Sequence, residues 1–235
     1  MSEKKTVPGV FVTGTDTGVG KTFHSVRLIR CLQEFGWLVG AYKPAASGWS
    51  EDDPCSDPQL LWQAIGGCQP LLRVCPQRFR APLSPPEAAA AEGRTVDQDL
   101  LMQGALWWRQ RCDFLVVEGV GGVLSPLSDA LTCADWAEQL GLPVLLIVPD
   151  RLGAVNQALT AAEAILRRRL RLAGILLNTM PNHDPADTSL QTNAKWIARF
   201  LPGVAIYPNA EEWAADCCGQ RGPANSSSRA GKTDG

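Results

Sequence analysis

The sequence predicts a doubly wound α/β fold, a mostly parallel sheet with helices on both faces. Three observations carry this expectation. Short, β-branched apolar runs alternate with longer stretches of helical periodicity. The runs show no polar alternation, as expected of strands covered on both sides. The chain has 235 residues, 45% hydrophobic and 20% charged, which suits one folded domain and excludes a disordered chain.

Strand 7–13 opens the order and helix 22–35 follows it. Strand 38–42 leads to helices 58–65, 85–91 and 97–111, the first of them opened by Ser56-Asp57, a capping pair. Strand 114–117, helix 134–140 and strand 144–148 come next. Helix 154–170 starts after a glycine, is rich in Ala and Leu, and ends in Arg167-Arg168-Arg169. Those arginines complement the carboxyl end of a helix dipole rather than bind a polyanion. Strand 173–177, helix 190–200 and strand 204–207 complete the pattern, and right-handed crossovers make the sheet parallel. Residues 219–235 hold Gly-Pro, three consecutive serines and no large apolar residue. A single domain over 1–218 with a disordered tail is expected.

The formal net charge is −2, from 22 basic and 24 acidic residues, so no basic field advertises nucleic acid. Apolar runs such as 143–149 fall far short of the ~20 residues of a membrane span. The charged start, Met1-Ser2-Glu3-Lys4-Lys5, is no signal peptide. A cytoplasmic protein without nucleic-acid or membrane partners is expected. Eight cysteines without a Cys-x-x-Cys pair, and only His24 and His183 beside them, read as free thiols rather than metal ligands.

The sharpest motif is Gly14-Thr15-Asp16-Thr17-Gly18-Val19-Gly20-Lys21-Thr22, between a strand and a helix. Small residues let successive backbone N–H groups turn inward around phosphates. Lys21 reaches the outer phosphates and the Thr22 hydroxyl is suited to Mg²⁺, while the helix amino end adds positive potential. Nucleotide contacts are expected from Gly18, Val19, Gly20, Lys21, Thr22 and Phe23. The spacing is one residue longer than Gly-x-x-x-x-Gly-Lys-Thr, and Thr15 stands where the first glycine belongs.

Glu118 ends an apolar strand, at the rim where α/β ligands bind. It is placed to face Mg²⁺, and Gly119, Val120 and Gly121 allow close backbone approach to the nucleotide. Lys43 follows another strand, a second cation for charge developing in phosphoryl transfer, and Ser47 lies on the same rim. Asp57 is a further Mg²⁺ candidate. Asn178 ends strand 173–177 with an amide suited to a purine edge.

Together these residues resemble the dethiobiotin synthetases, ATP-dependent carboxylases of biotin synthesis. The resemblance runs through the lengthened loop, Tyr42-Lys43-Pro44-Ala45-Ala46-Ser47-Gly48 and Val117-Glu118-Gly119-Val120-Gly121-Gly122. It continues in Pro126-Leu127-Ser128-Asp129, Ala134-Asp135-Trp136-Ala137, Leu152-Gly153-Ala154-Val155-Asn156 and Leu177-Asn178. It implies a P-loop NTPase fold, with Mg²⁺ on Thr22, Asp57 and Glu118 and catalysis by Lys43 with Lys21. It further implies substrate contact at Ser47 and adenine contacts at Asn178, Thr179, Pro208, Asn209 and Ala210. Gly153 and Asn156 then help bind the substrate carboxylate at a homodimer interface. The implied reaction joins 7,8-diaminononanoate and CO2 or bicarbonate at the expense of ATP, through a carbamate and a carbamic-phosphoric anhydride.

The sequence departs from the family in three places. Gly18 replaces an acid, the 81–87 segment lacks the histidine of a Ser-Pro-His loop, and the match weakens after Ala210. A cobyrinate-type amide ligase and a ParA/MinD-like switch ATPase share this kind of loop. The first normally carries a glutaminase domain, for which no room remains after residue 200. The second places a lysine early in the loop, and none occurs from Thr15 to Val19.

Overall fold

The computed structural model describes residues 8–219; Val7 and the expected tail beyond Gly219 lie outside them. The first apolar run becomes β1 (Gly9–Gly14), and all six of its residues are buried. Side chains on a strand alternate between faces, so complete burial means cover on both sides of the sheet. The same holds for β2 (Val39–Tyr42) and β6 (Val144–Pro149).

In chain order, α1 (Lys21–Glu34) follows β1, and β2 leads to a two-residue strand, β3 (Ala45–Ala46). Next come α2 (Asp57–Ala64), α3 (Leu71–Val74), β4 (Gln77–Arg78), α4 (Pro85–Ala90) and α5 (Gln98–Arg109). The second half holds β5 (Phe114–Gly122), α6 (Cys133–Leu140), β6, α7 (Ala154–Arg167), β7 (Leu172–Asn178), α8 (Asn193–Phe200), β8 (Ile206–Tyr207) and α9 (Ala210–Gly219). The main sheet runs β2-β5-β1-β6-β7-β8, with every pairing parallel. β3 and β4 pair in parallel as a small second sheet.

Several expectations need correction. β5 continues through Gly122: Val12 pairs with Glu118, the register then shifts, and Gly14 pairs with Gly122, with Gly121 at a positive φ of 57°. The 190–200 helix divides into a 3₁₀ turn, Thr188–Gln191, and α8, separated at Thr192. α7 stops at Arg167, and Arg169 takes a positive φ of 56° in the reversal to β7. Gly219, expected to begin the tail, closes α9.

The core gathers on Trp136, which is 1% exposed. Its ring meets Phe11 edge-on at 5.8 Å and Tyr42 at 5.9 Å. The Tyr42 hydroxyl donates to the Leu101 carbonyl at 2.8 Å, fastening β2 to α5. α6 is opened by a capping box: Asp135 N–H donates to Thr132 Oγ1, and the Asp135 carboxylate accepts from Thr132 N–H. No described helix is long and apolar enough to cross a membrane, and all eight cysteines are free thiols.

β1 pairs with β5 on one side and β6 on the other. The strand order therefore reverses at β1, and the crevice beyond its carboxyl end is where such folds bind ligands.

Candidate active site

The loop between β1 and α1 sits in that crevice. Its turns need glycine where φ is positive: 72° at Gly18 and 93° at Gly20. Gly14 is glycine for a different reason, since a Cβ there would stand 2.5 Å from Val19 Cγ2. Lys21 heads α1 and folds back, its ammonium donating to the Asp16 carbonyl at 2.8 Å. Burial, then the charge of Lys43, push the Lys21 pKa down.

A cavity of about 590 Å³ opens over this loop. Gly18, Gly20, Lys21, Thr22, Phe23, Lys43, Ser47, Asp57, Val120 and Gly121 all line it. Residues from four separate stretches of sequence thus converge on one hollow. Glu118 lies beneath, fully buried. Lys43 Nζ stands 2.6 Å from Glu118 Oε1 and 2.8 Å from Asp57 Oδ2. Burial alone would lower the Lys43 pKa, but Glu118 and Asp57 raise it well above the ordinary lysine range. Lys43 in turn holds the half-exposed Asp57 carboxyl below its usual range, with hydrogen bonds from Lys43 and Thr22 assisting.

The Thr22 hydroxyl lies 2.7 Å from Asp57 Oδ1 and 2.8 Å from Glu118 Oε1. One hydroxyl carries one proton, so it serves only one carboxylate at a time. Glu118 Oε2 is buried without a hydrogen-bond partner among the described residues. This is an oxygen-rich cluster with more acceptors than protons, the donor set a hard divalent cation prefers.

Other expected residues stand elsewhere. The Val19 side chain is buried in the core, and Gly119 backs onto Phe11. The Asn178 amide is buried behind the loop, donating to the Val19 carbonyl at 2.8 Å and facing His24 at 2.9 Å. Thr179 is exposed just beyond β7. Asn209 accepts from Glu212 N–H at the start of α9, next to Pro208 and buried Ala210. Asn156 borders a different groove of about 530 Å³ with Thr15, Asp16, Ser125 and Pro126, and Gly153 turns the chain into α7 with φ 95°. Ser125 and Pro126 line both hollows.

Pro82, Leu83, Ser84 and Pro85, from the 81–87 segment that resembles the Ser-Pro-His loop without its histidine, form one wall of the cavity between β1 and α1. Sequence reasoning missed Cys133, whose thiol donates to the Val120 carbonyl at 3.1 Å and lies 3.4 Å from Val120 N.

A family model described as an AAA domain matches residues 8–212. The ATP-dependent dethiobiotin synthetase BioD of Rhodopirellula baltica is 41% identical over 211 residues, covering 83% of this chain and 82% of its own. That of Anaeromyxobacter dehalogenans is 46% identical, covering 82% and 85%. The chain belongs to the dethiobiotin synthetase family. The Escherichia coli O157:H7 member, BioD 1, is 41% identical and covers 88% of this chain and 91% of its own. In this synthetase a Cβ at Gly18 would meet nothing within 4 Å. A side chain there would therefore extend into open space rather than pack.

Proposed function

We propose that this chain makes dethiobiotin from 7,8-diaminononanoate, CO2 and ATP. The observation that supports this most is the convergence of Lys21, Lys43, Thr22, Asp57 and Glu118 on one cavity at the end of β1. One amine of the substrate takes up CO2 to form a carbamate. A carbamate oxygen attacks the γ-phosphorus, the bond to ADP breaks, and a carbamic-phosphoric anhydride results. The second amine then attacks the carbonyl, closing the cyclic urea and expelling phosphate.

Lys21 holds the outer phosphates, while Gly18, Gly20 and Phe23 shape the loop around them. Lys43 provides a compact charge where carbamate and transferring phosphoryl meet, and such charge counts most in the transition state. Thr22, Asp57 and Glu118 would hold Mg²⁺, which when bound neutralises phosphate charge. Gly119, Val120 and Gly121 approach the nucleotide from β5. Ser47 contacts substrate, and the wall from Pro82 to Pro85 offers its aliphatic chain an apolar surface. Asn178 retains a lone pair on Oδ1 for the adenine edge, with Thr179 next to it in the chain and Pro208–Ala210 just beyond β8, the strand that pairs with β7. Gly153 and Asn156 take the substrate carboxylate where two copies of the chain meet, so the working form is a homodimer.

The test is phosphate release from ATP, omitting diamine and bicarbonate in turn. Release should require both. Equal release without diamine would overturn the synthetase reading in favour of a switch ATPase.

A further inference from the structure

We propose that His24 is a positioning residue that acts through Asn178 to hold the Val19–Gly20 peptide with its N–H toward bound phosphates. The inference rests on the nucleotide reading of the loop and adds a residue to it. His24 lies one turn into α1 and is 4% exposed. Its Nε2 stands 2.9 Å from Asn178 Oδ1, across 154 positions of sequence. The other end of the same amide donates to the Val19 carbonyl at 2.8 Å and lies 3.1 Å from Met180 Sδ.

The amide orientation follows from its partners. Turned over, Asn178 would set its oxygen against the Val19 carbonyl, acceptor against acceptor. Its NH2 must therefore face Val19 and its oxygen must face His24. His24 then has to carry the proton on Nε2 and donate it. Its Nδ1 is buried without a partner among the described residues, so there the ring meets its polar neighbours through Nε2 alone. Phe23 fixes the ring plane, edge to face at 4.9 Å between centroids.

The peptide unit transmits this to the phosphate site. In a planar trans peptide the carbonyl and the following N–H point in opposite directions. Tying the Val19 carbonyl back to β7 aims the Gly20 N–H away from Asn178, and Gly20 lines the cavity. The contact is tight enough to require glycine, since a Cβ at Gly20 would fall 2.2 Å from Asn178 Nδ2.

Gln and Met are close in shape, and only Gln can donate to Asn178. We therefore expect His24→Gln to bind ATP with Mg²⁺ within about 2-fold of wild type, and His24→Met to bind roughly 3- to 13-fold more weakly, within the range of one hydrogen bond. Titration calorimetry reads this, with melting of the unliganded proteins in parallel. Tripolyphosphate carries phosphates without a base, and it should show the same Gln-to-Met ratio. Asn178→Ala alone should weaken tripolyphosphate binding as much as His24→Met, which keeps the test open if that variant folds poorly. In an Asn178→Ala background the Gln–Met difference should vanish.

Equal affinities for the two His24 variants would overturn the relay, as would a difference that survives Asn178→Ala or is confined to ATP. Wild-type protein that binds neither ATP nor tripolyphosphate would overturn the reading of the loop, and the relay with it.

Discussion

Lys43 carries two jobs at once, and its substitution separates them. Its ammonium offsets two carboxylates in a buried setting, and breaking such a pair costs about 3–5 kcal/mol when both partners are enclosed. Asp57 is half exposed, so solvent screens its share, and the enclosed Glu118 carries most of the cost. Lys43→Gln should therefore fold with a lowered melting temperature. Diamine-dependent turnover should fall more than 100-fold, while ATP affinity measured on the same protein changes far less. Full turnover in this variant would reduce Lys43 to an ion-pair partner of the sheet rim. Lys43→Arg should also be poor, because a planar fork does not fit a space closed around a compact charge. Thr22, Lys43 and Asp57 were legible in the sequence because each follows a strand or starts a helix, and such ends gather at one edge of a parallel sheet; Glu118 was legible as an acid inside an otherwise apolar strand. The partner of Asn178 was not, since nothing local to Leu177-Asn178 signals a histidine 154 positions earlier. The thiol clasp between Cys133 and Val120 was hidden likewise, because a lone cysteine on an apolar face reads as filler.

At the scale of elements, α5 lies so close to β2 that Gly104 has no room for a methyl group. A Cβ there would stand 2.3 Å from the Tyr42 hydroxyl. Gly→Ala inside an exposed helix gains up to ~1 kcal/mol in propensity, whereas overpacking a core costs ~1–3 kcal/mol. Gly104→Ala should thus destabilise, and a denaturant midpoint at or above wild type would refute the packing argument. α6 offers a second measurement. Hydrogen bonds from Thr132, then the Arg168 guanidinium, hold the Asp135 carboxyl below its ordinary range. A depressed carboxyl binds protons more readily when unfolded, so its contribution is present above the ordinary value near 3.8 and is lost as pH falls below it. Asp135→Ala should cost about 1 kcal/mol at neutral pH, and the gap to wild type should narrow in acid. The six strands of the main sheet were readable from apolar runs alone. β3 and β4 were not, because two residues show no periodicity. α9 escaped because polar Glu211 and Glu212 interrupt its buried face of Ala210, Trp213 and Ala214.

For the whole molecule, a ligand that binds only the folded chain raises its stability by mass action. ATP with Mg²⁺ at 100 times its dissociation constant adds about 2.7 kcal/mol. For a domain of this size that corresponds to a rise in melting temperature of roughly 5–11 °C. An unchanged melting curve under these conditions would mean that the cavity over the loop does not take the nucleotide. The strand order carries a consequence in time. Tyr42 pairs beside Val117 and Val12 beside Glu118, so the centre of the sheet joins stretches of chain 75 and 106 positions apart. Contacts of such long range form late, after the entropy of closing large loops has been overcome. The cluster of Thr22, Lys43 and Glu118 hangs on those pairings and exists only once they are made. A newly synthesised chain therefore gains its nucleotide site in one step near the end of folding. In stop-flow refolding, the quenching of a fluorescent ATP analogue should follow the slowest phase, with none of its amplitude in the first collapse.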